Sequence, residues 1–130
     1  MMYINFRVLF WLLLASVLTN CTQNGVTTQE LPSFIRINPS LIGELELITI
    51  DKRTNSDNLI VFEAEFENIS NEPKHIIYKV MWEDQDGITF KTIFSKYQYS
   101  EVQPNDFLII RGTSPDKRAT NFFIYIQEDK

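Results

Sequence analysis

Along residues 58 to 68, NLIVFEAEFEN, apolar and acidic side chains alternate, with Ile60, Phe62, Ala64 and Phe66 on one side and Glu63, Glu65 and Glu67 on the other. Successive side chains of a β-strand point to opposite faces, so this pattern predicts a strand with one face buried. HIIYKVMWE, residues 75 to 83, does the same: Ile76, Tyr78, Val80 and Trp82 share the inward side, Ile77, Lys79, Met81 and Glu83 the outward one. Between them NISNEPK is rich in turn formers, and its Pro73 has no N–H to give to a ladder. Further strands are predicted over 33–37, 45–53, 87–93, 105–112 and 121–127. In the last of these Phe122, Ile124 and Ile126 point inward, which turns Phe123 and Tyr125 outward. PDKRAT, residues 115 to 120, opens on a proline suited to a first helical position and predicts one helical turn. Short strands, turn signals about every 8–12 residues and no long amphipathic helix together predict an all-β chain folded as an antiparallel β-sandwich.

The start of the chain follows a different rule. VLFWLLLASVL, residues 8 to 18, carries no charge and follows a segment with one arginine, Arg7. At about 1.5 Å per helical residue this run is too short for a hydrocarbon layer roughly 30 Å thick, and it has the proportions of a secretory signal. Cys21, the only cysteine, stands where cleavage is expected. One thiol makes no internal disulfide, has neither a second cysteine nor a nearby histidine for zinc, and precedes a featureless polar stretch unsuited to a catalytic nucleophile. Leu18, Thr19 and Asn20 before Cys21 resemble the lipobox of bacterial lipoproteins, with Asn20 where a small residue is usual. The resemblance implies lipid attachment at Cys21, and Thr22 in place of an aspartate implies delivery to the outer membrane, facing the periplasm. A plain signal segment, cleaved or uncleaved, is the competing reading. The expected organisation is a signal peptide over 1–20, a flexible tether over 21–32 and a β-sandwich domain over 33–130, the tether reaching about 35 Å if extended.

Composition narrows the partners. The chain holds 17 acidic and 12 basic residues, a net charge of -5. Without Arg7 the remainder has 11 basic against 17 acidic residues, or -6. Such a surface repels phosphate backbones, so no nucleic acid is expected. The expected contacts are the membrane, through the lipid anchor, and another envelope protein.

NISNEP at 68–73, YKVMWEDQDG at 78–87 and GTSPDKRATNFFIYI at 112–126 together resemble the YcfL-like family of small bacterial envelope lipoproteins. Tyr78, Trp82, Asp84, Gly87, Pro115, Ala119 and Phe122 keep the family's spacing over roughly residues 58 to 127; Lys79, Glu83 and Asn105 depart from it. The resemblance implies an immunoglobulin-like sandwich on a lipid tether, with no established biochemical role and no catalytic residues to carry over.

Candidate chemistry is sparse. Asp84, Asp86 and Gly87 mimic the third, fifth and sixth positions of a calcium loop, but Trp82 and Ile93 fall at its first and twelfth positions and offer no side-chain oxygen. A hydrolase or metal-dependent enzyme centred on Asp84 and Asp86 would need carboxyl groups in two different environments, and neighbours on one turn share theirs. His75, the only histidine, sits at a strand start beside Lys74 with no nucleophile in step with it. The residues favour no enzyme and imply no cofactor and no metal. What stands out is surface: Phe123 and Tyr125 with Ile77 and Met81 on outward positions, and Tyr97 and Tyr99 in the segment 92–106, read as a loop that either covers that patch, joins it as a partner surface, or acts as the plug of an inhibitor. The Glu63, Glu65 and Glu67 stripe reads as a solvated face, eased by Lys79 on the next strand, or as a docking strip for a cationic partner.

Overall fold

Eight strands run through the computed structural model, which describes residues 30–130: β1 (Ile35–Ile37), β2 (Leu45–Thr54), β3 (Ile60–Asn68), β4 (Lys74–Glu83), β5 (Thr89–Phe90), β6 (Gln98–Val102), β7 (Phe107–Thr113) and β8 (Asn121–Glu128). They form two sheets. The larger has the order β1-β8-β4, with β5 and β6 both pairing with β4; the smaller has the order β2-β3-β7. The β-sandwich expected from the alternation is therefore present, and every pair is antiparallel except β1 with β8, which is parallel.

The inward residues of the alternating strands close the space between the sheets. Ile60, Phe62, Ala64 and Phe66 from β3 are buried, as are Ile76, Val80 and Trp82 from β4 and Phe122, Ile124 and Ile126 from β8. At one end Phe62 stacks on Phe122 across the sandwich, ring centroids 4.2 Å apart and planes 8° from parallel, while Trp82 meets both rings at a tilt, 5.8 and 5.5 Å away. Stacked and tilted pairs contribute about 0.5–1.5 kcal/mol each beyond the area they bury. Gly112 on β7 lies so close to the Phe62 ring that a Cβ there would overlap it.

At the opposite end the link from β3 to β4 is built around Asn68. This side chain is fully buried, and its Nδ2 donates to the carbonyls of Glu72 and Val102, 2.8 and 2.9 Å away. Its Oδ1 accepts from the amide and the hydroxyl of Ser70. Its backbone exchanges two bonds with the β6–β7 turn, where Asn105 takes the left-handed conformation, φ 61°. Lys74 follows, buried, its ammonium paired with Glu44 and 3.9 Å from Glu128.

Several expectations are corrected. β3 and β4 belong to different sheets, so NISNEPK crosses the sandwich, and Lys79 lies on the far side of the molecule from the glutamate stripe; Glu63 pairs with Arg111 of β7 instead. The strand expected over 87–93 shrinks to Thr89–Phe90 and is followed by a 3-10 turn at Ile93–Ser95. The segment 92–106, expected as a loop, holds the short edge strand β6 in its middle, with residues 92–97 and 103–106 outside the strands. Residues 115–120 form turns and bends without a helix, since the Asp116 carboxylate takes the Arg118 amide 2.8 Å away and closes a tighter turn.

Candidate functional site

The outward alternation of β4 and β8 puts Ile77, Lys79 and Met81 beside Phe123 and Tyr125, with Lys79 directly opposite Tyr125 and Met81 opposite Phe123. On the other flank of β4, Ile77 stands opposite Tyr99 of β6. The six residues singled out from the sequence therefore share one outer face of the larger sheet. Ile77, Met81, Phe123 and Tyr125 are half-buried there, while Tyr97 and Tyr99 are 43% and 57% exposed.

Two cations organise this face. The Lys79 ammonium lies between the rings of Tyr97 and Tyr125, 4.6 and 5.2 Å from their centroids, and the Arg36 guanidinium lies 5.3 Å over Phe123. A cation against a ring face is worth about 0.5–1 kcal/mol at an exposed site, enough to hold these long side chains down on the aromatics. At the margin His75 Nδ1 is 2.6 Å from the Tyr99 hydroxyl. Among the described side chains, cover for the patch comes from Lys79, from Arg36 and from the ring of Tyr97, which the 92–106 segment contributes just ahead of β6. Arg36 was missed in the sequence because the parallel pairing that places it opposite Tyr125 leaves no periodic trace.

The outer face of the smaller sheet differs. Its rows run Glu46–Glu67–Phe107, Thr49–Glu65–Ile109, Asp51–Glu63–Arg111 and Arg53–Val61–Thr113 across the three strands. Glu63 and Arg111 are paired; Glu46, Glu65 and Glu67 have no ion pair among the described residues. Phe107 and Ile109 beside them are 45% and 42% exposed. The smaller sheet is also narrower, and a cleft of about 660 Å³ opens around the free edge of β7. Its lining includes Tyr78, Trp82 and Gln98 from the inner side of the larger sheet and Glu63, Arg111 and Thr113 from the outer side of the smaller one. Burial raises the Tyr78 phenol above its ordinary pKa of 10.0, and its hydroxyl donates to Gln98 Oε1 at 3.4 Å.

The 84–88 turn is engaged in its own geometry. Asp84 Oδ1 accepts the amides of Asp86 and Ile88, each at 2.9 Å, and Gly87 has φ 77°. Asp86 lies on the exposed side of the same turn, so the two carboxyl groups do not converge on a cleft. Among the described residues no three histidine, cysteine or acidic side chains cluster as metal ligands would. Cys21 lies outside the described residues.

Residues 35–128 match a family model described as "Protein of unknown function (DUF1425)". No curated protein matches the chain. Among solved structures, the crystal structure of Campylobacter jejuni cj0090 superposes with a TM-score of 0.63 at 26% identity, covering 75% of this chain and 100% of that one. A DUF1425 family member from Shewanella sp. pv-4 superposes with a TM-score of 0.58 at 14% identity, over 66% of this chain and 79% of that one, a likeness of fold.

Proposed function

Starting from the fact that the chain belongs to the DUF1425 family of proteins of unknown function, we propose that it is a YcfL-like envelope lipoprotein: a non-catalytic binding or accessory module, lipid-anchored through Cys21 to the outer membrane and facing the periplasm. The partner is another envelope protein, met through the outer face of the larger sheet.

One observation carries the docking reading. Four aromatic rings, Tyr97, Tyr99, Phe123 and Tyr125, share a sheet face with Ile77, Met81 and two ring-bound cations. Aromatic residues and arginine are enriched where proteins meet, because they bury large area at low entropic cost while keeping polar tips for hydrogen bonds. The anchor reading is supported by the short apolar run that ends at Cys21 and by the polar segment that follows.

Two measurements test these parts separately. Changing Phe123 and Tyr125 together to serine is expected to abolish crosslinking to the envelope partner in intact cells while the purified protein keeps its unfolding midpoint within a few degrees, since neither residue belongs to the buried core. Crosslinking that survives the double change removes this face. A traceable fatty acid fed to cells is expected to label the wild-type chain and not Cys21→Ala; an unlabelled wild type removes the anchor and leaves the docking face untouched.

A further inference from the structure

Charge is unevenly spread over the outer face of the larger sheet. Arg36, Tyr125 and Lys79 stand in register across β1, β8 and β4, and Tyr97 meets the Lys79 ammonium from another side. Every charge in this middle band is positive. Residues 31–43 carry Arg36 as their only charge, the outward residues of β8 are Asn121, Phe123, Tyr125 and Gln127, and residues 87–98 carry Lys91 and Lys96 without an acid. Neither Arg36 nor Lys79 has an ion pair among the described residues; rings hold both, with Arg36 exposed and Lys79 half-buried. The acids of this face stand at its two ends. Glu83 precedes the turn that holds Asp84 and Asp86; at the other end Glu101 lies opposite His75, and the Asp129 amide bonds the His75 carbonyl. Glu83 and His75 each lie four positions from Lys79 along β4. That is about 13 Å at the rise of a strand, beyond the screening length of about 8 Å in physiological salt.

Resting on the docking reading above, we propose that the envelope partner meets this band with an acidic protein segment. Its carboxylates lie against the Arg36 guanidinium and the Lys79 ammonium, and its apolar side chains against Met81, Phe123 and Tyr125. The two cations spring from strands two apart, about 10 Å, so one short segment reaches both. Each is already held against a ring, which leaves less side-chain freedom to lose when a carboxylate arrives. The acidic ends decide the class of partner. An anionic bilayer or a nucleic acid carries unbroken negative charge and would set it against Glu83, Glu101 and Asp129 as well as against the band. A short acidic segment meets the band alone.

Photo-crosslinking in intact cells tests this, with a photo-reactive phenylalanine analogue in place of Tyr99 and mass spectrometry of the crosslinked peptide. The expected adduct is a protein peptide of net negative charge. R36E with K79E is expected to lower its yield at least about tenfold, R36Q with K79Q to lower it less, and R36K with K79R to leave it unchanged. Lysines in place of the acids in the mapped peptide are expected to restore the yield with R36E and K79E, a rescue that damage to the fold would not produce. Should the reversed pair shift the unfolding midpoint, the neutral pair decides, and a yield that it does not lower overturns the proposal. A peptide without net negative charge, an adduct on lipid, or charge reversal without effect where Phe123→Ser with Tyr125→Ser abolishes the adduct would each overturn the acidic segment and leave the face as a docking surface. No adduct, or one indifferent to both pairs of changes, removes the face and this inference together.

Discussion

The two ends of the sandwich are held by opposite means. At one end Phe62, Trp82 and Phe122 form an apolar stack with Phe34 tilted against it at 5.1 Å. At the other, a buried asparagine and a buried lysine tie three turns together through hydrogen bonds and ion pairs. The apolar end depends on volume and shape and tolerates no cavity. The polar end depends on every partner being present, because a buried donor or acceptor left alone costs more than its bond contributes. NISNEP, one of the segments that carry the family resemblance, is spent on this polar corner, where it turns the chain from one sheet to the other.

The largest effect is expected at the apolar end. Phe122→Ala removes the ring shared by the stack and is expected to lower unfolding free energy by about 3–5 kcal/mol in denaturant titrations; a loss below about 1 kcal/mol would mean that the stack does not hold this end. Next comes the polar end. Asn68→Ala strands the carbonyls of Glu72 and Val102 together with the Ser70 amide, with an expected loss of about 2–3 kcal/mol. Asn68→Asp, the same shape without the Nδ2 donor, is expected to be worse than alanine because it sets a carboxylate against two carbonyl oxygens; equal losses would show that packing, not hydrogen bonding, secures the corner.

Lys74→Met separates charge from packing at the polar end. The Glu44 carboxylate bonded to its ammonium is the main cause that raises the Lys74 pKa above 10.5, with Glu128 and Glu72 adding to it and burial opposing. A raised folded pKa gives stability that is complete below the unfolded value and is lost as pH rises through the folded one. Wild type is therefore expected to exceed Lys74→Met by about 1 kcal/mol near neutrality and to lose that margin above pH 10.5, followed by thermal melts across pH. A margin unchanged into strong alkali would assign the effect to the lysine stem and not to its charge. The smallest effect belongs to neither end's interior. Arg118 bonds Asp116 and holds its carboxyl below the ordinary value of 3.8, yet Arg118 is exposed and Asp116 only partly covered, and Asp116→Asn is expected to leave the melting midpoint where it was.

Legibility in the sequence divides along the same line. The apolar stack could be read from the order of residues alone: alternation in β3, β4 and β8 put Phe62, Trp82 and Phe122 inward, and all three are buried. The outward residues Ile77, Met81, Phe123 and Tyr125 were legible for the same reason, as the other half of the alternation. β6 was not, because QYSEV is an edge strand with a single buried residue, Val102. The buried state of Lys74 was hidden as well, since Glu44 and Glu128, distant in sequence, supply the charge that makes burial tolerable.

Side-chain alternation is a property of a single strand, and it settled that β3, β4 and β8 extend, which side of each is apolar, and that the result is a layered β protein. The choice of neighbour for each strand belonged to the tertiary structure: β3 with β2 and β7, β4 with β8 and β6, and the parallel addition of β1. That choice depends on how the inner faces of two twisted sheets fill a common volume, a condition met by the whole chain at once. The same global packing set Lys79 between two tyrosines instead of beside the glutamates, and left β7 as the bare edge.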